Sequence, residues 1–177
     1  MCRATLAGLT AALTSDPAWN RWFWRLLAWV LAVRLLFLVF FIGVTDLAGD
    51  EAYYWDWGRQ PDWGYYSKPP LIGWLMTVVS ALSGGGAEWA VRGMALLLGT
   101  GSLLVLHALT RRLFDARAAF LAVLLVVLTP ANAALNVFLT IDAPLVLLWT
   151  AALLLFWRAT ERPDAWGRWL ALGAVLG

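Results

Sequence analysis

Long apolar runs separated by clusters of arginine leave this 177-residue chain one broad kind of fold. The runs cover about 26–45, 90–109, 118–137 and 145–157, and a further one opens at 169–177. A helix needs roughly 20 apolar residues to cross ~30 Å of hydrocarbon, and inside the bilayer its backbone must satisfy itself. The pattern therefore predicts an all-α polytopic membrane protein. Composition agrees, with 62% of residues hydrophobic and 14% charged, where soluble domains run at roughly 45–50% and about 25%. The net charge of +2 does not point to nucleic acid, because the arginines border the apolar runs, where they set orientation. Residues 1–20 read as a cytoplasmic lead-in. Their apolar part, Leu6–Leu13, is short, and Asp16-Pro17 stands where a signal peptide would carry its cleavage site. The lone Cys2 allows no internal disulfide.

The segment Leu71–Leu82, closed by Gly84-Gly85-Gly86, is too short to cross and is expected to lie along the interface. With that segment on one side, the clusters Arg21/Arg25, Arg111/Arg112/Arg117 and Arg158/Arg162/Arg168 fall on a common face. By the positive-inside rule that face is the cytoplasm. An outer loop of juxtamembrane helices at 46–89, together with Asp142, then occupies the opposite face. Thr129-Pro130 predicts a bend in the run 118–137, because proline removes a backbone donor. Arg34 lies inside the first span and must face protein or a polar cavity. Either it pairs with a carboxylate on another helix or it has a functional role.

The polar and aromatic island from Asp50 to Leu71 carries the candidate chemistry. Asp50-Glu51 offers a carboxylate able to take a proton from an attacking hydroxyl, although an Asp after Gly49 also suits a helix N-cap. Lys68, the only lysine, is a compact cation at headgroup depth. It fits a phosphate, or else snorkels as interfacial lysines do. Arg92, about one turn into its span, could share that anion. Asp142 sits at a membrane boundary as a site acid or a cap. The aromatic side chains, thirteen tryptophans among them, suit an interfacial belt, with sugar stacking as the second reading. Gly99-Thr100-Gly101 lies inside a span and is no nucleotide loop. His107 is isolated, and no metal-ligand spacing is present.

Taken in order, Asp50-Glu51-x-x-Tyr54-Trp55, Lys68-Pro69-Pro70-Leu71 with Trp74-Leu75, Trp89-x-x-Arg92, Arg111-Arg112-Leu113-Phe114 and Asp142 resemble the GT-C glycosyltransferases. The likeness is to the family-39 group of dolichyl-phosphate-mannose protein mannosyltransferases and bacterial lipid A aminoarabinose transferases. It runs from about Arg21 to the end of the chain. The resemblance implies a polyprenyl-phosphate sugar donor, a lipid or protein acceptor, and inverting transfer on the outer face of a bacterial inner membrane. It implies Asp50 as the catalytic carboxylate, Lys68 at the donor phosphate and Asp142 as a further acid of the site; the residues themselves add Arg92 beside Lys68 and Glu51 as a supporting acid. Tyr53, Tyr54 and Tyr66 are the expected aromatic contacts, and no cofactor is implied. Ser67 replaces an acid that some lipid A transferases associate with metal. Family members have roughly a dozen spans, so 21–177 is expected to be the N-terminal part of such a domain. The rival expectation is a non-catalytic membrane component that binds a lipid-carrier headgroup, or an inactive truncated fragment.

Overall fold

The computed structural model describes residues 16–41, 46–85 and 88–177, all of them in helices or short connections. The expected lead-in therefore lies outside the described residues as far as residue 15, and 16–20 already belong to a helix. In chain order the helices are α1 (Asp16–Phe41), α2 (Gly49–Gly58), α3 (Leu71–Ser83), α4 (Glu88–Leu113), α5 (Ala116–Val127), α6 (Pro130–Leu135), α7 (Asp142–Glu161) and α8 (Trp166–Leu176). Three of them, α1, α4 and α7, are long and apolar enough to cross a membrane. At 1.5 Å per residue they reach ~30–39 Å.

Each long helix buries a narrow stripe and leaves the rest of its apolar surface outward. In α1 the stripe is Phe23, Leu27 and Val30, at the spacing that places side chains on one helical face. Phe23 and Leu27 pack with Leu103 of α4 and Val123 of α5. Trp29, Leu36, Val39 and Phe40 on the remaining surface are exposed, the arrangement a lipid-facing helix requires.

The run 118–137, expected as one bent span, is instead two helices. Asp115 caps α5 by accepting from the Ala118 amide at 2.7 Å, and α5 ends at Val127 after 12 residues. Thr129 turns its hydroxyl onto the Val126 carbonyl. Pro130 then starts a new helix at the position where its missing N–H costs nothing. Twelve residues rise ~18 Å, so α5, α6 and the irregular stretch 136–141 return the chain together.

Helix α3 has 13 residues, too few to cross. It closes on Gly84, whose φ of 69° is the left-handed conformation that ends helices. Its buried face of Ile72, Met76 and Val79 packs with Tyr54 and Trp57 of α2, Val91 and Ala95 of α4, and Leu139.

The two ends of the molecule differ in charge. At one end Arg111 donates to Asn20 at 3.3 Å, the Arg117 guanidinium lies 5.9 Å from the Trp19 ring, and Arg112 pairs with Glu161. All three arginine clusters therefore gather at that end. Helix α2, Glu88 and the start of α7 lie at the other.

Candidate functional site

The site is built on the first turn of α2. Ala48, in extended conformation, stands at the N-cap, and Glu51 reaches back to accept from the Ala48 amide at 3.0 Å. Glu51 is fully buried. Its carboxylate also accepts from Arg92 Nη1 at 2.8 Å and from the Leu139 amide at 2.8 Å. A buried charge is tolerable only with partners of this kind, a cation and several donors together. Arg92 in turn donates to the Val137 carbonyl at 3.1 Å. The pair thus holds the irregular stretch 136–141 by one of its carbonyls and one of its amides, groups no helix satisfies. The Arg92 guanidinium further contacts the Asp46 carbonyl at 3.4 Å and Glu88 at 3.7 Å, and lies 4.8 Å from the Phe138 ring.

Because Glu51 performs the capping, Asp50 does not. Asp50 is exposed and makes no hydrogen bond or ion pair among the described residues. Asp142, the first residue of α7, is likewise exposed and without a partner among the described residues, and Ile141 holds the N-cap position. Both carboxylates line one open cleft of about 750 Å³, between the first turn of α2, α6 and the start of α7. Glu51 sets this arrangement, being one residue from Asp50 and bonded to an amide three residues before Asp142. The buried Tyr54 phenol feels both acids. Its pKa is pushed above the ordinary value by burial first, then by the charges of Asp50 and Asp142, and last by Tyr53.

The remaining expected residues are placed differently from one another. Tyr53 packs on Tyr54 and on Trp57, with ring centroids at 6.0 and 4.5 Å. Tyr66 is wholly exposed in the connection between α2 and α3. That connection is held instead by Tyr65, which stacks on Trp57 at 4.6 Å and donates its hydroxyl to the Trp57 carbonyl. The Tyr65 ring lies where a Cβ on Gly73 would fall. Lys68 is half-buried, makes no ion pair among the described residues, and does not line the carboxylate cleft. Its neighbour Pro69 lines a second cleft of about 440 Å³ with Ile141, Pro144 and Trp149. Arg92, expected beside Lys68, lies behind Glu51. The structure brings Asp50, Glu51, Asp142 and Tyr54 together, places Arg92 on Glu51, and leaves Lys68 outside the cleft lining.

Sequence reasoning missed an asparagine network. Among the described residues Arg34 finds no carboxylate; its Nη1 donates to the Asn136 side chain. Asn136 donates to the Asn132 carbonyl and is buried against Gly99, where a Cβ would fall 1.9 Å from its Oδ1. Two asparagines one turn apart inside an apolar run were the available signal, because such residues are expensive in a span. Among the described residues, no cluster of three acidic, histidine or cysteine side chains forms a metal site.

Fold and site define a polytopic α-helical membrane protein with an acidic cleft at the end of its helices remote from the arginine clusters. Residues 67–177 match the family described as dolichyl-phosphate-mannose-protein mannosyltransferase, and the chain belongs to that family. It is also 32% identical over 133 residues to the lipid A galacturonosyltransferase RgtD of Rhizobium johnstonii, an alignment covering 75% of this chain. The chain spans 28% of that relative's length. No solved structure matches. Lys68, Arg92 and Asp142 fall within the family match, whereas Asp50 and Glu51 precede it.

Proposed function

We propose that this chain forms the acidic cleft of a glycosyltransferase that moves a sugar from a polyprenyl-phosphate donor to an acceptor hydroxyl on the outer face of a bacterial inner membrane. The observation that carries this reading is the contrast between Asp50 and Glu51. Of these sequence neighbours, Glu51 is consumed by structure, whereas Asp50 has no partner among the described residues and lines an open cleft. The acceptor oxygen attacks the anomeric carbon, the bond from that carbon to the phosphate oxygen breaks with inversion, and polyprenyl phosphate leaves. Asp50 takes the hydroxyl proton. Lys68, without an ion pair among the described residues, is the cation assigned to the departing phosphate, whose charge it offsets as it develops. Asp142 is assigned to the acceptor side of the cleft, the buried Tyr54 lies behind the two acids, and Tyr53 and Tyr66 are assigned to the sugar. Arg92 acts on the site through Glu51. The arginine-rich end faces the cytoplasm.

The test is a transfer assay run beside a binding assay, both with a labelled polyprenyl-phosphate sugar and the membrane-embedded protein. Asp50→Asn is expected to lower turnover about 10²–10⁴-fold while donor binding stays nearly intact, because a base matters chiefly in the transition state. Lys68→Ala is expected to weaken binding and turnover together, since the phosphate is charged in ground and transition states alike. Wild-type turnover in Asp50→Asn would overturn the assignment. Donor binding without any transfer would leave a headgroup-binding component.

A further inference from the structure

Another, smaller cavity lies on the Arg92 side of the Glu51–Arg92 pair, and Phe138 lines both it and the acidic cleft. It measures about 120 Å³, opens between α1 and α4, and is lined by Arg34, Asp46, Glu88, Arg92, Phe37 and Phe138 among others. Arg92 is already answered by Glu51 and Glu88. Arg34 is not: one of its N–H groups donates to the neutral Asn136, and no carboxylate pairs with it among the described residues. Asp46 is exposed, and its side chain has no partner among the described residues. One unanswered cation and one unanswered anion therefore line the same cavity without meeting.

Their depths differ. Arg34 lies seven residues before the end of α1, ~10 Å along the helix axis, whereas Asp46 follows that helix and Glu88 begins α4. In that order, from membrane to water, the cavity offers a guanidinium and then carboxylates. A purely anionic headgroup would meet the carboxylates unfavourably. A phosphodiester carrying a primary ammonium satisfies both, since its phosphate sits deeper in a bilayer than its amine. The guanidinium fork suits the phosphate, and the ammonium can donate to the acids. Phe37 and Leu96 supply apolar walls for the start of an acyl chain.

We propose that this cavity binds the phosphoethanolamine headgroup of a membrane glycerophospholipid, with phosphate on Arg34 and ammonium toward Asp46 and Glu88. The site shares Phe138 alone with the lining of the sugar-transfer cleft and does not depend on that activity. A lipid seated there braces Arg34, and through it the Asn136 side chain at the start of the stretch that Glu51 holds.

Native mass spectrometry of the purified full chain, with dioleoyl phosphatidylethanolamine, phosphatidylglycerol or phosphatidylcholine added in turn, tests this. Phosphatidylethanolamine adducts are expected to exceed the other two. Arg34→Gln is expected to reduce them about tenfold, the scale of one charge-assisted hydrogen bond. Asp46→Asn alters an exposed position outside the packing, and is expected to remove the preference over phosphatidylcholine, whose quaternary amine donates nothing. Three outcomes overturn the proposal: no adducts in the wild type, equal or stronger binding of phosphatidylglycerol, or adducts unchanged in Arg34→Gln. Should Arg34→Gln fail to fold, an undiminished preference in Asp46→Asn overturns it as well.

Discussion

Glu51 and Arg92, separated by 41 positions in the chain, meet at 2.8 Å with both side chains buried. Removing one partner leaves an uncompensated buried charge, which typically costs about 3–5 kcal/mol. Glu51→Gln and Arg92→Gln are each expected to destabilise the protein on that scale. The double variant should lose less than the sum, because contacting residues do not act additively. Unfolding of the four proteins in one detergent closes the cycle, and strictly additive losses would refute the coupling.

Tyr54 reports on the acidic cleft. Burial and the charges of Asp50 and Asp142 raise its phenol pKa in the folded chain, so folding favours the protonated form. The resulting stability is complete below the unfolded value, near 10, and is lost as pH rises through the folded one. Asp142→Asn should bring the phenol back toward its ordinary value. The Tyr54 component is obtained from absorbance titrations at alkaline pH as the difference from Tyr54→Phe. A component that stays in place when Asp142 is neutralised would show that the carboxylate does not face Tyr54.

Gly99 and Asn136 make a steric test. A Cβ at position 99 would fall 1.9 Å from Asn136 Oδ1, whereas at Gly93 on the same helix nothing lies within 4 Å. Gly99→Ala is expected to cost about 1–3 kcal/mol, as overpacking does. Gly93→Ala should be neutral or mildly stabilising, alanine being the better helix former. Thermal unfolding of the two variants decides, with equal midpoints as the contrary result.

Orientation is open to chemical labelling. In a Cys2→Ser background, Gly64→Cys in the exposed connection after α2 should react with an impermeant maleimide added outside intact cells. Asp164→Cys, exposed beside the arginine clusters, should react only after the membrane is opened. The reverse pattern would invert the topology.

The helices and their common basic end were legible because they rest on length, hydropathy and charge, quantities local to each segment. The single span expected over 118–137 was not, since hydropathy cannot see that Thr129 and Pro130 end one helix and begin another. The acidic residues of the island were legible as a group. What divided their roles was the reach of Arg92 from another helix, a contact no local pattern carries. The same holds for Arg34, whose partner is an amide on the irregular stretch after α6 and neither of the two alternatives its position left open. Side-chain types were readable, but partnerships across 41 and 102 positions were not.

At position 139 Glu51 recognises a main-chain amide, not a side chain. Exchange of leucine for isoleucine there keeps the donor and the apolar surface. Proline would keep most of that surface and abolish the donor, leaving the most buried carboxylate of the described chain short of a partner. The rule that governs this position is thus written in the peptide bond. A tabulation of side-chain character would pass over it, scoring the one forbidden residue as merely another hydrophobic one.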